Sequence, residues 1–395
     1  MESKSSQKSS LDLFSHLQGL KAAEAQLSDT WQPDDPGYRA DLYRQTMMNL
    51  SFAYFIYFHA DAEHPDWSPL WNPVFTCQPN PDDIYLLSPL RADLTYRVSG
   101  NRGTVRKLIF VTQQGIPGVL EDPTKFCDFS SIDDKDFEIG ADGQFEIIFS
   151  AKRPQGYQGN WSMLKPKADA MLVRYRMVDW EAERDPQLTI ECLDPVAPKP
   201  RLTAQQITER IELMSRVPGN MTRLFFKMQN DLKRGFGVNK FELVRLPGLD
   251  KQIYLQAVFE LDPTQALIIE TDLPRTVEYW NFQLNDYLFN AVEYVYRSSS
   301  INASTARISS DGKLRLVVAL EDPGVPNWLD PAGYTTGTIY GRWYDADSGP
   351  TPTFKRVPLA TLRKSLPPDT PTVDAKQRNE ELRTRVRAAQ RRRRW

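Results

Sequence analysis

Asp82 and Asp83 are the residues best suited to acid–base chemistry, because they are neighbouring carboxylates that follow Asn80 and precede Tyr85. Neighbouring carboxyl groups that are partly buried raise each other's pKa, and a general acid or base needs a pKa near neutral pH. We predict that Asp82 or Asp83 transfers protons and that Tyr85 orients the substrate. The sequence Asn-Pro-Asp-Asp is equally typical of a turn in which Asx side chains accept hydrogen bonds from backbone N–H groups, and this interpretation stays open.

Arg174 and Arg342 are candidates for binding an anionic group of a substrate. A guanidinium group is a planar fork of N–H donors that matches a carboxylate, a sulfate or a phosphate. The alternative is a structural role, in which each arginine packs on an aromatic ring or pairs with an aspartate at the end of its strand, Asp179 or Asp345.

The segment YWNFQLND, which starts at Tyr279, offers a row of amide side chains. Side chains alternate between the two faces of a strand, so Asn281 and Gln283 share one face with Tyr279. That face would meet a cavity, where the aligned amides could bind a polar group of a ligand, or else solvent. The other face is apolar and should enter the core; it carries Trp280, Phe282 and Leu284.

Other catalytic and metal-binding motifs are weak or missing from the sequence. HADAEH, from His59 to His64, lacks the spacing of HExxH and is followed by a proline, so a helix C-terminus that favours histidine is the simpler interpretation. Cys77, Cys127 and Cys192 fit neither a disulfide framework nor a zinc ribbon. The fingerprints GxSxG, GxxxxGK[ST] and GxGxxG do not occur. We therefore predict no metal site and no cofactor.

Composition and charge exclude several classes of protein. The 395 residues are 41% hydrophobic and 25% charged, as in ordinary globular proteins, and 49 basic against 51 acidic side chains give a net charge of −2. Because no overall field favours a polyanion, we predict no nucleic-acid partner.

The most apolar run, residues 50–58, is far shorter than the roughly 20 residues of a membrane helix. The polar N-terminus lacks a secretion signal, so we expect a cytoplasmic protein.

The C-terminal end of the sequence is strongly basic. Residues 376–395 hold nine Lys or Arg and two Glu, a net charge of +7. A solvated, partly disordered tail is the default expectation. Contact with anionic lipid, with nucleic acid or with the acidic body of a neighbouring subunit is the alternative, and a homo-oligomer is compatible with the last of these.

The predicted β segments that carry these residues occur twice in the chain. IYLLSPL at Ile84 matches IYLQAVF at Ile253, an offset of 253 − 84 = 169 residues, and the Asp-Gly pairs at Asp142 and Asp311 have the same offset. The arginines of LVRYRMVDWE and IYGRWYDA are 342 − 174 = 168 residues apart. Each copy consists of short alternating segments with Asp-Gly turns, which favours antiparallel sandwiches. Positions that both copies share should serve the fold, and polar positions found in one copy are freer to serve function.

We therefore predict a mainly β fold with two pseudo-symmetric antiparallel β-sandwich halves of jelly-roll-like form. The expected divisions are an N-terminal helical segment (1–65), a first β repeat (66–195), a linker with helices (196–238), a second β repeat (239–350) and a C-terminal helical basic tail (351–395). In the linker, one helix is predicted from an N-cap at Thr203 to Met214, and a second from Met221 to Leu232.

Three motifs of the second copy resemble the family catalogued as domain of unknown function 1214. They are YWNFQLND at Tyr279, SSDGKLRLVVALEDPG at Ser309 and PNWLDPAG at Pro326. NPDDIY at Asn80 is similar to an element of the companion domain of unknown function 1254. The resemblance implies a β-rich fold with jelly-roll character and a role near small-molecule breakdown, and it supplies no catalytic residues.

These features together predict an enzyme of small-molecule catabolism that acts by acid–base chemistry, as a lyase, isomerase, hydrolase or group-transfer enzyme. Its substrate would be partly hydrophobic and would carry an anionic or hydroxyl group. The alternative is a non-catalytic binding protein for a lipophilic ligand or a glycan, because 9 Trp, 16 Tyr and 19 Phe suit either class.

Overall fold

The computed structural model describes residues 12–25, 34, 36–120, 122, 128–246 and 249–392. The described chain is mainly β, with 18 strands arranged in four sheets. The first half comprises β1 (Ser68–Pro69), β2 (Asp83–Pro89), β3 (Tyr96–Asn101), β4 (Lys107–Gln114), β5 (Asp128–Asp133), β6 (Gln144–Ser150), β7 (Asn160–Met163), β8 (Ala170–Arg176) and β9 (Gln187–Cys192). The second half comprises β10 (Glu242–Arg245), β11 (Gln252–Glu260), β12 (Gln265–Thr271), β13 (Val277–Asn285), β14 (Ser300–Asn302), β15 (Leu314–Val318), β16 (Trp328–Leu329), β17 (Thr336–Ala346) and β18 (Thr353–Pro358).

The two halves have the same sheet topology. The first half has an inner sheet of order β1-β2-β8-β4-β5 and an outer sheet of order β7-β6-β3-β9. Adding nine to each strand number gives the two sheets of the second half, β10-β11-β17-β13-β14 and β16-β15-β12-β18. Both outer sheets carry one parallel pair, β6 with β7 and β15 with β16, in otherwise antiparallel surroundings. The predicted fold of two pseudo-repeat halves is therefore confirmed.

The register of the strands repeats as well as their order. Tyr85 on β2 lies opposite Arg174 on β8, and Tyr254 on β11 lies opposite Arg342 on β17. Both Asp-Gly turns contain a glycine with positive φ, 82° at Gly143 and 80° at Gly312, which an L side chain rarely adopts. The sequence landmarks thus mark equivalent positions.

Alternation along each strand gives every half a core of its own and leaves one face of each inner sheet for the other half. Ile84 and Val173 pack between the two sheets of the first half, and Phe282 and Trp343 pack between the two sheets of the second. The opposite faces of the inner sheets contribute to a third buried cluster, which also includes side chains from helices α2 and α3. The inner sheets are therefore packed towards each other.

The helices are α1 (Leu20–Ala25), α2 (Pro36–Tyr54), α3 (Ala204–Phe236) and α4 (Ala375–Arg391). Short helical turns occupy Leu13–Leu17, Phe55–His59 and Leu359–Ser365. Among the described residues, no helix is long and apolar enough to cross a membrane.

The prediction of two helices in the linker is wrong, because α3 is one continuous helix of 33 residues with Pro218 inside it. Proline removes one backbone hydrogen bond, but Val217, Pro218 and Met221 are all buried, and their packing offsets that loss. The predicted N-cap is confirmed, since the Thr203 side chain accepts a hydrogen bond from the backbone N–H of Gln206.

Candidate functional site

A polar layer lies between the two inner sheets and brings together the residues that the sequence singled out. Asp83, Tyr85 and Arg174 project into this layer from β2 and β8. Asn281, Gln283 and Arg342 enter it from β13 and β17, and Asp82 lies at its edge, directly before β2. The alternation predicted for YWNFQLND is confirmed, with Trp280, Phe282 and Leu284 in the core of the second half. A solvated amide face is excluded, because Asn281 and Gln283 are fully buried.

Asp83 and Arg176 form a buried ion pair in this layer. The Arg176 Nε and Nη2 groups donate to the two Asp83 carboxylate oxygens at 2.6 and 2.8 Å, and each side chain is 1% exposed. Burial alone would raise the pKa of Asp83, but the charge and hydrogen bonds of Arg176 outweigh it and lower that pKa. Asp83 is therefore a permanent carboxylate that neutralises Arg176, which argues against the predicted proton-transfer role for Asp83.

Tyr85 also has a structural position in the layer. Its hydroxyl donates to Asp83 at 3.4 Å and accepts from the backbone N–H of Asn80 at 3.2 Å. Burial raises the pKa of Tyr85 well above its ordinary value, so the phenol stays protonated at neutral pH.

Asn80 connects the two halves. Its Nδ2 donates to the hydroxyl of Tyr279 at 2.9 Å, and its Oδ1 accepts from Nδ2 of Asn281 at 2.8 Å. The Asn80–Asp83 segment is a turn, as the alternative interpretation held, and it is fully buried. The polar residues that are present in the first copy alone are therefore part of the interface between the halves.

Arg342 and Arg174 differ in their partners although they occupy equivalent positions. Arg342 Nη1 donates to the amide oxygens of Asn281 and Gln283 at 3.2 and 2.6 Å. Arg174 lies over the ring of Tyr85, 5.7 Å from its centroid, and its side chain makes no hydrogen bond with another described residue. The predicted alternative of pairing with strand-end aspartates is wrong: Asp345 pairs with Lys135, and Asp179 accepts from backbone N–H groups in the turn after β8.

Asp82 faces a different environment from Asp83. Its Oδ2 accepts from the hydroxyl of Tyr279 at 2.6 Å, and its Oδ1 accepts from Asn302 Nδ2 at 2.7 Å and from Trp180 Nε1 at 2.8 Å. Burial raises the pKa of Asp82, while the hydrogen bond from Tyr279 and the charge of Arg392 act in the opposite direction. Of the two neighbouring carboxyl groups, Asp82 is therefore the one whose pKa is shifted towards neutral pH.

A cavity of about 510 Å³ opens beside Asp82. The first half contributes Asp82 and Trp180 to its wall, the second half contributes residues of β14 and the loop after it, and α4 contributes the third side. Its wall contains both polar and apolar side chains; the uncharged polar ones from the second half are Ser298, Ser300, Asn302, Ser304, Thr305 and Asn327. Arg174 and Arg342 do not line this cavity, so the single site that the sequence predicted is divided in the structure.

The basic α4 is not a solvated tail, and that prediction is wrong for its described part. Arg385 and Arg392 lie over the ring of Trp180, 4.8 and 4.6 Å from its centroid. Arg392 also donates to the backbone carbonyls of Pro81 and Asp82. Burial lowers the pKa of Arg385 to about 10. Arg385 and Arg392 therefore contact residues of their own chain. Residues 393–395 lie outside the described residues.

Neither the His59–His64 segment nor the cysteines form a metal centre in the described part of the chain, where no group of three or more His, Cys, Asp or Glu side chains could hold a metal ion. His64 Nδ1 is 2.9 Å from Asp61, and its Nε2 is 2.7 Å from the carbonyl of Ala197. His59 ends the helical turn Phe55–His59. Cys77 and Cys192 are free thiols, and Cys127 lies outside the described residues.

Sequence reasoning missed Arg176, Tyr279 and Trp180 as members of the site. Arg176 had a signal, because it is two residues after Arg174 on a strand and must share its face. Trp180 and α4 had none, since their approach to Asp82 depends on how the two halves and the C-terminal helix pack.

The fold and the site together define a protein of two repeated β halves with a buried polar interface and a cavity beside it. Residues 257–348, from β11 to just beyond β17, match the family described as "Protein of unknown function (DUF1214)". This match lies in the second half of the chain, where the three motifs indicated the resemblance. The similarity of Asn80–Tyr85 to the companion domain stays a prediction.

One of the solved structures extends the similarity over most of the chain. An uncharacterised protein from Burkholderia cenocepacia is 29% identical, with 88% of this chain and 97% of that chain covered and a TM-score of 0.81. A protein from Vibrio parahaemolyticus is 13% identical, with 85% of this chain and 100% of that chain covered and a TM-score of 0.46. No curated protein matches the sequence.

Proposed function

We propose that the protein is an enzyme of small-molecule catabolism that transfers a proton to or from a partly hydrophobic substrate with a hydroxyl or anionic group. The observation that carries the proposal is Asp82, a buried carboxyl with a raised pKa in the wall of a cavity of about 510 Å³. Such a combination of a titratable group and a concave, partly apolar site is typical of acid–base catalysis.

The surroundings of Asp82 support this role. Tyr279 holds Oδ2 through a 2.6 Å hydrogen bond, and Trp180 and Asn302 hold Oδ1, so the carboxyl plane is fixed. The hydroxyl groups of Ser300 and Ser304 in the wall suit hydroxyl groups of a substrate. Val178 and Trp328 supply the apolar part of the wall.

The second candidate is the non-catalytic binding protein, and one specific observation favours it. Both oxygens of Asp82 already accept hydrogen bonds from the protein, three in total. A carboxylate offers about four lone-pair sites, so roughly one is left to receive a proton from a substrate. A binding protein needs no free site on Asp82.

The experiment that separates the two candidates uses Asp82→Asn, which keeps the side-chain shape. Wild-type and variant proteins are incubated with a metabolite extract, and the small molecules that are consumed, formed and retained are identified by mass spectrometry. For an enzyme, we expect the wild type to convert at least one compound and Asp82→Asn to lose that conversion. For a binding protein, compounds are retained and none is converted.

The matched control is Asp286→Asn. Asp286 is also buried, and burial raises its pKa to about 6, but it does not line the cavity. The proposal is wrong if Asp82→Asn still converts the compound. It is also wrong if Asp286→Asn loses the conversion to the same extent as Asp82→Asn. Alanine at Asp83 is not a suitable test, because it would leave Arg176 buried without its counter-charge.

A further inference from the structure

The layer between the inner sheets holds more buried positive charge than its own side chains compensate. Arg174, Arg176 and Arg342 enter it, and the charge of Asp83 acts on all three. Both oxygens of Asp83 are bonded to Arg176. Among the described residues, Arg174 and Arg342 therefore have no carboxylate within hydrogen-bond distance. Asp82 does not supply one, because it is bonded to Tyr279, Trp180 and Asn302 instead.

Two buried polar groups beside Tyr85 lack a hydrogen-bond partner, and both are donors. The buried Nε–H of Arg174 has no acceptor, and neither has the buried indole N–H of Trp71. Both residues lie against the same ring: Trp71 is 4.9 Å and Arg174 is 5.7 Å from the centroid of Tyr85. A buried donor without an acceptor is unfavourable, so this place lacks a hydrogen-bond acceptor, and the neighbouring guanidinium charges favour a negatively charged one.

Solvent reaches this end of the layer. Arg174, Trp71 and Tyr254 are each partly exposed although their neighbours in the sheets are buried. The same cluster includes partly buried apolar side chains from the helical turn Phe55–His59, from the loop after β4 and from α3, which are Ile56, Ile116, Val119, Met214 and Met228. A molecule that binds here meets guanidinium groups at one end and apolar side chains along its length.

The two arginines approach the place from opposite halves. Arg174 lies over the ring of Tyr85, and Arg342 lies 5.8 and 5.9 Å from the ring centroids of Tyr254 and Tyr340; the three tyrosines belong to the same cluster between the halves. Because the strand registers around Arg174 and Arg342 are equivalent, the two guanidinium groups occupy pseudo-symmetric positions. A planar anion matches such a pair.

We propose that Arg174 and Arg342 bind an organic carboxylate with an apolar body between the two halves, and that the Trp71 N–H is a further donor to it. The site is separate from the cavity at Asp82, so the proposal goes beyond the proposed function and does not depend on it. The bound anion would supply the negative charge that the layer lacks, and its apolar body would lie on the partly buried side chains of the same cluster.

The test is isothermal titration and thermal unfolding with benzoate, hexanoate and sulfate as probes, at constant ionic strength in chloride. We expect benzoate or hexanoate to bind to the wild type and raise its Tm, with sulfate at least tenfold weaker. Arg174→Met should lose at least tenfold in affinity, and Arg174→Lys, which keeps the charge without the fork, should also bind more weakly. Since the side chain of Arg174 makes no hydrogen bond with another described residue, Arg174→Met without a probe should unfold at the wild-type Tm or above it.

Arg275→Met is the matched control, because Arg275 is 90% exposed and lies outside this layer; it should bind the carboxylates as the wild type does. Asp82→Asn should also keep this binding, which separates the failure of this proposal from the failure of the proposed function. The proposal is overturned if neither carboxylate binds to the wild type, if sulfate binds as tightly as both carboxylates, or if Arg174→Met and Arg174→Lys bind them unchanged.

Discussion

Removing the carboxylate of Asp83 should destabilise the protein strongly, because Arg176 would lose its only counter-charge within hydrogen-bond distance among the described residues. Both side chains are 1% exposed, and two hydrogen bonds of 2.6 and 2.8 Å would be lost. Arg176 Nη1 already lacks a partner, so the guanidinium would keep its contacts with the rings of Tyr279 and Tyr344, whose centroids are 4.0 and 5.0 Å away. Breaking a buried ion pair by removing one partner costs about 3–5 kcal/mol, and we expect this loss for Asp83→Ala.

Replacing both partners should cost much less. In Asp83→Ala/Arg176→Met no buried charge is left over from the pair, and such double replacements are often close to neutral. Urea unfolding followed by tryptophan fluorescence gives the free energy of unfolding for the wild type, both single variants and the double variant. The pH dependence has a defined sign: the pKa of Asp83 is lowered in the fold, so its contribution is present above its ordinary value of 3.8 and is lost as the pH falls.

The control is the exposed pair of Lys227 and Asp231, whose side chains are 53% and 55% exposed. Asp231→Ala should change the free energy of unfolding by less than about 1 kcal/mol. The reasoning is refuted if Asp83→Ala costs as little as Asp231→Ala, or if the double variant is as unstable as the sum of the two single variants.

Three further predictions concern other parts of the fold. Burial raises the pKa of Asp286 from 3.8 to about 6, so its contribution to stability should fall by about 2 kcal/mol as the pH rises from 4 to 6. The free energy of unfolding of Asp286→Asn, measured over the same range, should lack this dependence. Gly341→Val should lower stability by about 1–3 kcal/mol in a thermal or urea melt, because an added Cβ would lie 2.5 Å from the ring of Phe282; an unchanged melt would contradict this packing. Arg392→Ala should cost about 1–3 kcal/mol through its lost hydrogen bonds to backbone carbonyls and should increase the hydrogen exchange of α4, whereas exchange equal to that of the wild type would show that the contact is unimportant.

The sequence was sufficient to predict the repeat, because period-two alternation and the order of landmarks are local properties. It also placed Asn281 and Gln283 correctly on the face opposite to Trp280 and Phe282. The sequence could not predict what that face packs against, since this depends on which surface of the other half covers it.

Other features depend on energies that no local pattern contains. Pro218 normally interrupts a helix, and only its burial against the core allows α3 to continue through it. A run of arginines in α4 is typical of a solvated surface, and its docking depends on the position of Trp180 and of the Pro81 carbonyl. The different roles of Asp82 and Asp83 follow from partners that are 93 or more residues away in the chain.

The pairing of charges within each half has a consequence for synthesis on the ribosome. Asp83 and Arg176 both belong to the half that is translated first, and Arg342 finds its amide partners in the half that is translated second. Both members of this ion pair are therefore available before the second half, which covers them with Tyr279 and Tyr344, has been made. Since domains generally fold as units with the N-terminal one first, the second half would dock onto a surface whose main charge pair is already matched.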